Sequence, residues 1–144
     1  SQKDIAKYLL TYKKEEIIGV VILYKRRVKF NQSQINLGGI GSLRVRDDQR
    51  RKGIATHLLR LSISKLKNLG CDMIFLSTDI ANPILVNFYK KFNFVLLNKP
   101  YSFLGKSGKK YIEKDGMLTP LKSKSKFLQV LKSKKIFDIG QGNW

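Results

Sequence analysis

Two residue types that build many catalytic and metal centres are nearly missing from this chain of 144 residues, which has one cysteine, Cys71, and one histidine, His57. A lone cysteine excludes an internal disulfide framework and a cysteine-cluster metal site, and a lone histidine excludes a histidine-rich zinc site. No metal is therefore expected. Long apolar runs are missing as well. None approaches the ~18 residues of a membrane span. The opening Ser1-Gln2-Lys3-Asp4 does not begin a secretory signal, so a cytoplasmic protein without a membrane partner is expected. Acids are scarce, 10 against 29 basic side chains, for a formal charge of +19. What remains suffices for one packed domain. Apolar residues make up 42% of the chain, and aromatic and branched ones recur along most of it, which excludes disorder.

A field of this sign favours anionic partners: nucleic acid, a phosphate-bearing cosubstrate or an anionic substrate. Lysines dressing a solvated surface fit the same number. Two clusters stand out. Arg44, Arg46, Arg50, Arg51 and Lys52 gather before Gly53. Lys122, Lys124, Lys126, Lys132, Lys134 and Lys135 contain no acid among them and read as the polar face of a tail helix.

Residues 5–12 read as a strand, and Ile17 to Tyr24, apolar almost throughout, as a central strand continuing toward Phe30. Polar turns at 13–16 and 31–34 make these a meander with a third strand, Ile35 to Val45. Three glycines inside that third strand, Gly38, Gly39 and Gly41, mark a bulge or a close backbone approach. From Ala55 the positions Leu58, Leu59, Ser62, Leu66 and Leu69 keep helical spacing, and Gly70 fits the stop. Asp72 to Thr78 is the next strand. Strand, helix, strand predicts a parallel, right-handed βαβ unit. Asn82-Pro83 opens a second helix carrying Ile84, Leu85, Phe88, Tyr89 and Phe92. Phe94 to Leu97 reads as a strand, Pro100 to Lys110 as a loop, Tyr111 to Leu118 as a strand, and Lys122 to Lys135 as a helix. The expected organisation is one domain, with residues 1–121 as its body and 122–144 as a basic helix and tail packed on it.

A helix start presents unpaired N–H groups and the positive end of its dipole, which together bind phosphate. Gly53 lets the backbone approach a pyrophosphate, and the neighbouring cations add charge. At this point a resemblance becomes concrete. Arg50-Arg51-Lys52-Gly53-Ile54-Ala55 resembles the Arg-x-x-Gly-x-Gly/Ala signature of the Gcn5-related N-acetyltransferase (GNAT) superfamily. Asn82-Pro83 through Phe88-Tyr89 to Asn93-Phe94 is similar to that family's second motif, with Asn93 where glycine is usual. The resemblance spans roughly residues 5–118. It implies an α/β fold: a mixed, mostly antiparallel sheet with a splayed parallel strand pair, flanked by helices. It also implies acetyl transfer from acetyl-CoA to an amine, by direct attack in a ternary complex. The pantetheine would lie along Leu43, Arg44 and Val45. The pyrophosphate would sit on the backbone of Arg50, Arg51, Lys52, Gly53, Ile54, Ala55 and Thr56. Asn82 would line the channel, and Tyr89 would protonate the departing thiolate. Read without the motif, Tyr89 is a packing residue, His57 a surface residue, Cys71 a small buried residue and Asp79 a turn cap.

The family's fold opens with a strand and two helices that form one wall of the acceptor site. Here the first strand begins near Ile5, so those elements are missing from this sequence. The sequence begins inside a longer chain, or the acceptor site is more open, or another chain supplies the wall. The glycine-rich strand has no acid, and Gly41 stands where aminoglycoside 2′-acetyltransferases, a branch of the family, carry a Glu. The closing Gly-Gln-Gly-Asn-Trp is similar to their Trp-ended tail, which makes the Trp144 carboxylate a candidate base beside the acceptor. The overall charge favours a neutral or anionic amine over an aminoglycoside. Two further readings stand beside the enzyme: a nucleic-acid- or ribosome-associated module on this fold, and a CoA-binding protein without catalysis. An oligomer is compatible with each.

Overall fold

The structure is a computed structural model that describes residues 5–144. Ser1-Gln2-Lys3-Asp4, set against a secretory leader above, lies outside the described residues. β1 (Ile5–Lys13), β2 (Glu16–Phe30) and β3 (Ser33–Val45) form the expected meander. Both hairpins turn on two residues at positive φ, Lys14 (49°) and Glu15 (68°) in the first, Asn31 (48°) and Gln32 (67°) in the second. Such turns match the right-handed twist of the strands they join, so the register is set locally.

α1 (Ile54–Asn68), β4 (Met73–Ser77), α2 (Pro83–Lys90) and β5 (Val95–Leu96) follow. β3 and β4 are parallel, joined by α1 as the βαβ pattern predicts. Gly70, at φ +84°, ends α1, and the Cys71 N–H returns to the Leu66 carbonyl at 3.1 Å. Pro83 stands in the first turn of α2, while the Asn82 side chain accepts from the Ile84 and Leu85 N–H groups.

The chain beyond residue 97 departs from the expected pattern. The stretch 100–110, read as a loop from its Gly, Ser and Lys content, holds β6 (Tyr101–Leu104), and its turn is confined to the residues before β7 (Lys110–Glu113). Residues 111–118, read as one strand, divide between β7 and β8 (Gly116–Pro120). Burial explains the division. Residues 110–113 are exposed, residues 116–119 are buried, and the charged pair Lys114-Asp115 sits at the break. α3 (Lys124–Lys132) is shorter than the expected helix, and the tail forms a further strand, β9 (Phe137–Gln141). The main sheet runs β1-β2-β3-β4-β8-β5, and a second sheet runs β7-β6-β9.

Each face of the main sheet carries a core. On one face Val21, Leu23, Ile40, Ile74 and Leu76 pack with Leu58, Leu59 and Leu66 of α1 and Val86 of α2. On the other, Val28, Phe30, Leu37 and Phe75 pack with Tyr101, Phe127, Val130, Phe137 and Ile139, bringing in α3 and the second sheet. Among the described residues no helix is long and apolar enough to cross a membrane.

Phe75 joins the two sheets. It is fully buried, and its ring lies 4.7 Å from Tyr101, 6.2 Å from Phe137 and 5.9 Å from Trp144, centroid to centroid. Phe75→Ala should therefore destabilise the fold by about 3–5 kcal/mol, read as a lower denaturation midpoint in urea.

Candidate active site

The β3–β4 ladder is short. Leu37 faces Met73, Gly38 faces Ile74, Gly39 faces Phe75, and no further pair forms although both strands continue. The cause lies on the other edge of β3. Val20 pairs with Arg44 and Ile22 with Gly41, so β3 carries an extra residue there, and Ser42 takes φ +52°. A bulge of this kind bends the strand that holds it. β3 leaves β4, and a cleft of about 1270 Å³ opens between residues 40–45 on one side and Ser77 and Thr78 on the other. Ile84, Leu85, Phe88 and Tyr89 of α2 form a further wall, and Trp144 lines the cleft as well. Leu43, Arg44 and Val45 thus lie along the cleft, as expected, on a strand edge that β4 no longer pairs.

One end of the cleft is built for an anion. Gly53, at φ +78°, precedes α1, and no side chain caps the helix. The first return bond runs from the His57 N–H to the Gly53 carbonyl (3.0 Å), which leaves the N–H groups of Ile54, Ala55 and Thr56 without helical partners. No acid stands in the first turn. Val45, Gln49, Arg50, Arg51, Gly53, Ala55 and Thr56 surround a small hollow there. The basic cluster is less free than its composition suggests. Arg46 pairs with Glu16 (2.8 Å) and Asp48 (2.7 Å), and its guanidinium is held far above its ordinary pKa by the Asp48 bond first and the Glu16 bond second. Arg50 pairs with Asp47 at 2.9 Å, and Lys52 donates to Gln49. Backbone amides, with the exposed Arg44 and Arg51, are the main resource of this end.

Tyr89 lies in the cleft wall, with its ring against Phe88 (5.2 Å) and Phe94 (5.8 Å). Burial pushes its phenol above the ordinary value, so it stays protonated across the neutral range. Asn82 stands at the head of the same helix, and its side chain is spent on the α2 cap. Asp79 accepts from the Ala81 N–H in the preceding turn, His57 is exposed on α1, and Cys71 is fully buried. Burial raises the Cys71 thiol to about 11, so it remains a thiol.

The other end is closed by the tail. The Trp144 indole lies over Gly39, where even a methyl group would meet it at 2.4 Å. Tyr24 stacks on it at 5.6 Å, and the Arg26 guanidinium sits 4.3 Å from its ring centre. Arg26 is itself buried and donates to the carbonyls of Ile139 (2.6 Å) and Gly142 (3.2 Å). The main-chain oxygen of Trp144 accepts from Ser77 Oγ at 2.9 Å. Behind it Tyr101 donates to Asp115, and Asn143 Nδ2 donates to the Tyr101 hydroxyl at 3.1 Å. Burial, then the Asp115 bond, drives the Tyr101 phenol well above its ordinary pKa. Tyr24, Arg26, Ser77 and Tyr101 went unread in the sequence. An arginine inside an apolar strand was the one available signal.

Residues 2–94 match the profile of the Acetyltransferase (GNAT) family, well over half of the chain. The chain belongs to the GNAT acetyltransferase family. It is 30% identical over 88 residues to N-alpha-acetyltransferase 30 of Saccharomyces cerevisiae, covering 61% of this chain and 48% of that one. The chain spans less than half the length of the curated relatives it matches. Its fold is similar to that of Chaetomium thermophilum Naa20 in complex with a bisubstrate analogue, with a TM-score of 0.65 at 14% identity over 91% of this chain and 74% of that one. A structure of the NatC complex bound to Gag peptide and CoA gives 0.56 at 23% identity, over 77% and 65% of the two chains. The stretch matched to the GNAT profile contains the bulge, the uncapped helix and Tyr89; the tail wall lies beyond it.

Two outcomes test the two ends separately. A carboxylate at position 53 would stand at the free N–H groups on a backbone that resists any side chain, so Gly53→Glu should abolish acetyl-CoA binding in calorimetry. Gly39→Val should expel the indole and leave acetyl-CoA affinity unchanged. Trp144 is the only tryptophan, so a red shift of its fluorescence reports that release directly.

Proposed function

We propose that this GNAT chain moves the acetyl group of acetyl-CoA to the α-amino group of a peptide, by direct attack in a ternary complex. The observation that carries this reading is the cleft itself. It has an uncapped, acid-free helix start at one end and a released strand edge along its length, with a protonated tyrosine in its wall. The residues fit acetyl-CoA: Ile54, Ala55 and Thr56 offer N–H groups to the pyrophosphate, and Leu43, Arg44 and Val45 offer backbone to the pantetheine amides. Bound there, acetyl-CoA supplies an activated thioester.

The attacking nitrogen forms its bond to the acetyl carbon as the carbon–sulfur bond breaks. Tyr89 donates its O–H to the departing sulfur. A thiol of pKa about 8.5 is a stronger acid than a phenol held above its ordinary value, so full transfer would run uphill. The hydrogen bond stabilises the negative charge that grows on sulfur, and CoA takes its final proton from solvent. The proton lost by the amine passes to solvent at the acceptor end. There we assign Trp144 a place beside the amine, with its main-chain oxygen, held by Ser77, accepting an N–H.

The choice of an α-amine rests on acidity. β3 brings no carboxylate into the cleft, the lining Asp47 and Asp48 are paired with Arg50 and Arg46, and Asp115 is engaged by Tyr101. A lysine-like amine of pKa about 10 needs about 4 kcal/mol to deprotonate near pH 7, whereas an α-amine near 8 needs about 1. A site without a strong base suits the second. Relatives and neighbours point the same way. N-alpha-acetyltransferase 30 is named for that transfer, and the NatC complex was crystallised with a peptide and CoA.

Release of CoA should be measured with peptides bearing free or blocked N-termini, polyamines and aminoglycosides. Turnover is expected with free α-amines and not with N-blocked lysine peptides; faster acetylation of kanamycin than of any peptide would overturn the reading. Tyr89→Phe should lower kcat by about 10- to 100-fold at unchanged acetyl-CoA affinity. Since burial raises the Tyr89 pKa, the wild-type rate should not fall on the alkaline side until above pH 10.

A further inference from the structure

The second basic cluster of the sequence has no part in the cleft. Its first lysines fold against the opposite end of the molecule, around the Cys71-Asp72 corner. Leu121 and Ser123 N–H groups donate to the Asp72 carbonyl (2.9 and 3.2 Å), and the Lys122 N–H donates to that of Cys71 (3.3 Å). The Asn36 N–H reaches the Asp72 carboxylate at 2.8 Å, which brings in β3 and, through the Arg27–Asn36 and Lys29–Gln34 pairs, the end of β2. α1 ends at the same corner with Lys65 and Lys67 in its last turn. Arg27, Lys29, Lys65, Lys67, Lys122 and Lys124, all exposed, therefore meet at one end.

Acids are distributed the other way. Asp72 is the one acid among the described residues at this corner, and it is 8% exposed and paired with Lys126. Glu16, Asp47, Asp48, Asp79 and Asp115 stand at the cleft end, by the strand ends and turns that carry Arg46, Arg50 and Ser77. These acids thus gather at the cleft end, and the exposed cations of the corner face only the buried Asp72.

We propose that the end opposite the cleft docks the phosphate backbone of double-helical nucleic acid. Charge complementarity selects a polyanion. The two hollows described above both belong to the cleft, and neither is lined by a residue of the corner. Leu61, one turn before Lys65 on α1, is an exposed apolar side chain beside the patch, and a lone leucine gives little of the insertion that would favour a lipid surface. Among the described residues the exposed aromatic side chains are Tyr8, Tyr12 and Tyr111, on β1 and β7 and not in the patch, so it offers no platform for single-strand stacking. Lysines dominate the patch, and lysine meets phosphate as a point charge without reading bases. Binding is therefore independent of sequence and leaves the cleft facing outward. This inference does not rest on the peptide reading of the cleft.

The test uses the whole chain, a 20-base-pair DNA duplex and fluorescence anisotropy. Four phosphate contacts predict a fall in affinity of about 100-fold between 50 and 200 mM salt. Charge reversal at Lys65, Lys67, Lys122 and Lys124 should remove most of the binding and flatten the salt slope, with acetyl-CoA affinity and acetyl transfer unchanged. The comparison variant reverses Arg44, Arg51 and Lys52 at the cleft and should keep the duplex. Equal losses in the two variants would make the binding a diffuse field and overturn the proposal. So would tighter binding to phosphatidylserine vesicles than to the duplex, or no duplex binding at 100 mM salt.

Discussion

Parallel pairing between β3 and β4 ends at Gly39 and Phe75, and the site depends on that early end. Had the ladder continued, Ile40 and Gly41 would face β4 and the sheet would be closed. The extra residue at Ser42 turns β3 away instead. An unpaired strand edge is ordinarily a hazard, since its N–H and C=O groups will pair with any extended chain. Inside a cleft walled by α2 the same edge becomes selective, because only a ligand narrow enough to enter can pair with it.

Charge and backbone divide the work at the anion end. The sequence places five cations around Gly53, but Glu16, Asp47 and Asp48 neutralise Arg46 and Arg50. These exposed pairs add little stability. They shape the mouth of the cleft and leave the fixed N–H groups of α1 as its directional feature. On the reading proposed above, a phosphate there meets geometry first and charge second.

The sequence made the body of the fold legible as far as residue 97, because each element there is decided locally. Branched apolar runs lie between I′ turns, and Gly70 and Asn82 punctuate the helices. The released strand edge and the hollow before α1 were legible for the same reason, since residues 43–56 are consecutive. Beyond residue 97 local signals fail. Tyr101 and Phe103 sit among turn-forming residues, yet they form β6 because Phe75, Tyr111 and β9 are there to pack and pair with them. Trp144, expected as a candidate base, lies against Gly39 and Ser77. Nothing near Trp144 in sequence names Arg26 or Tyr24, which hold it; that information is tertiary.

The hydrogen bond from Arg26 to the Ile139 carbonyl spans 113 residues, and the one from Ser77 to Trp144 spans 67. The phosphate hollow is made from neighbours in sequence. Closing a long loop costs entropy before any contact repays it, so the local end of the cleft assembles early and the tail wall late. The Trp144 ring nitrogen is also buried without a hydrogen-bond partner among the described residues, which leaves stacking and the Arg26 contacts to hold the ring. The order of assembly runs in reverse on opening. The tail lifts before α1 loosens, so the hollow before α1 outlasts the tail wall.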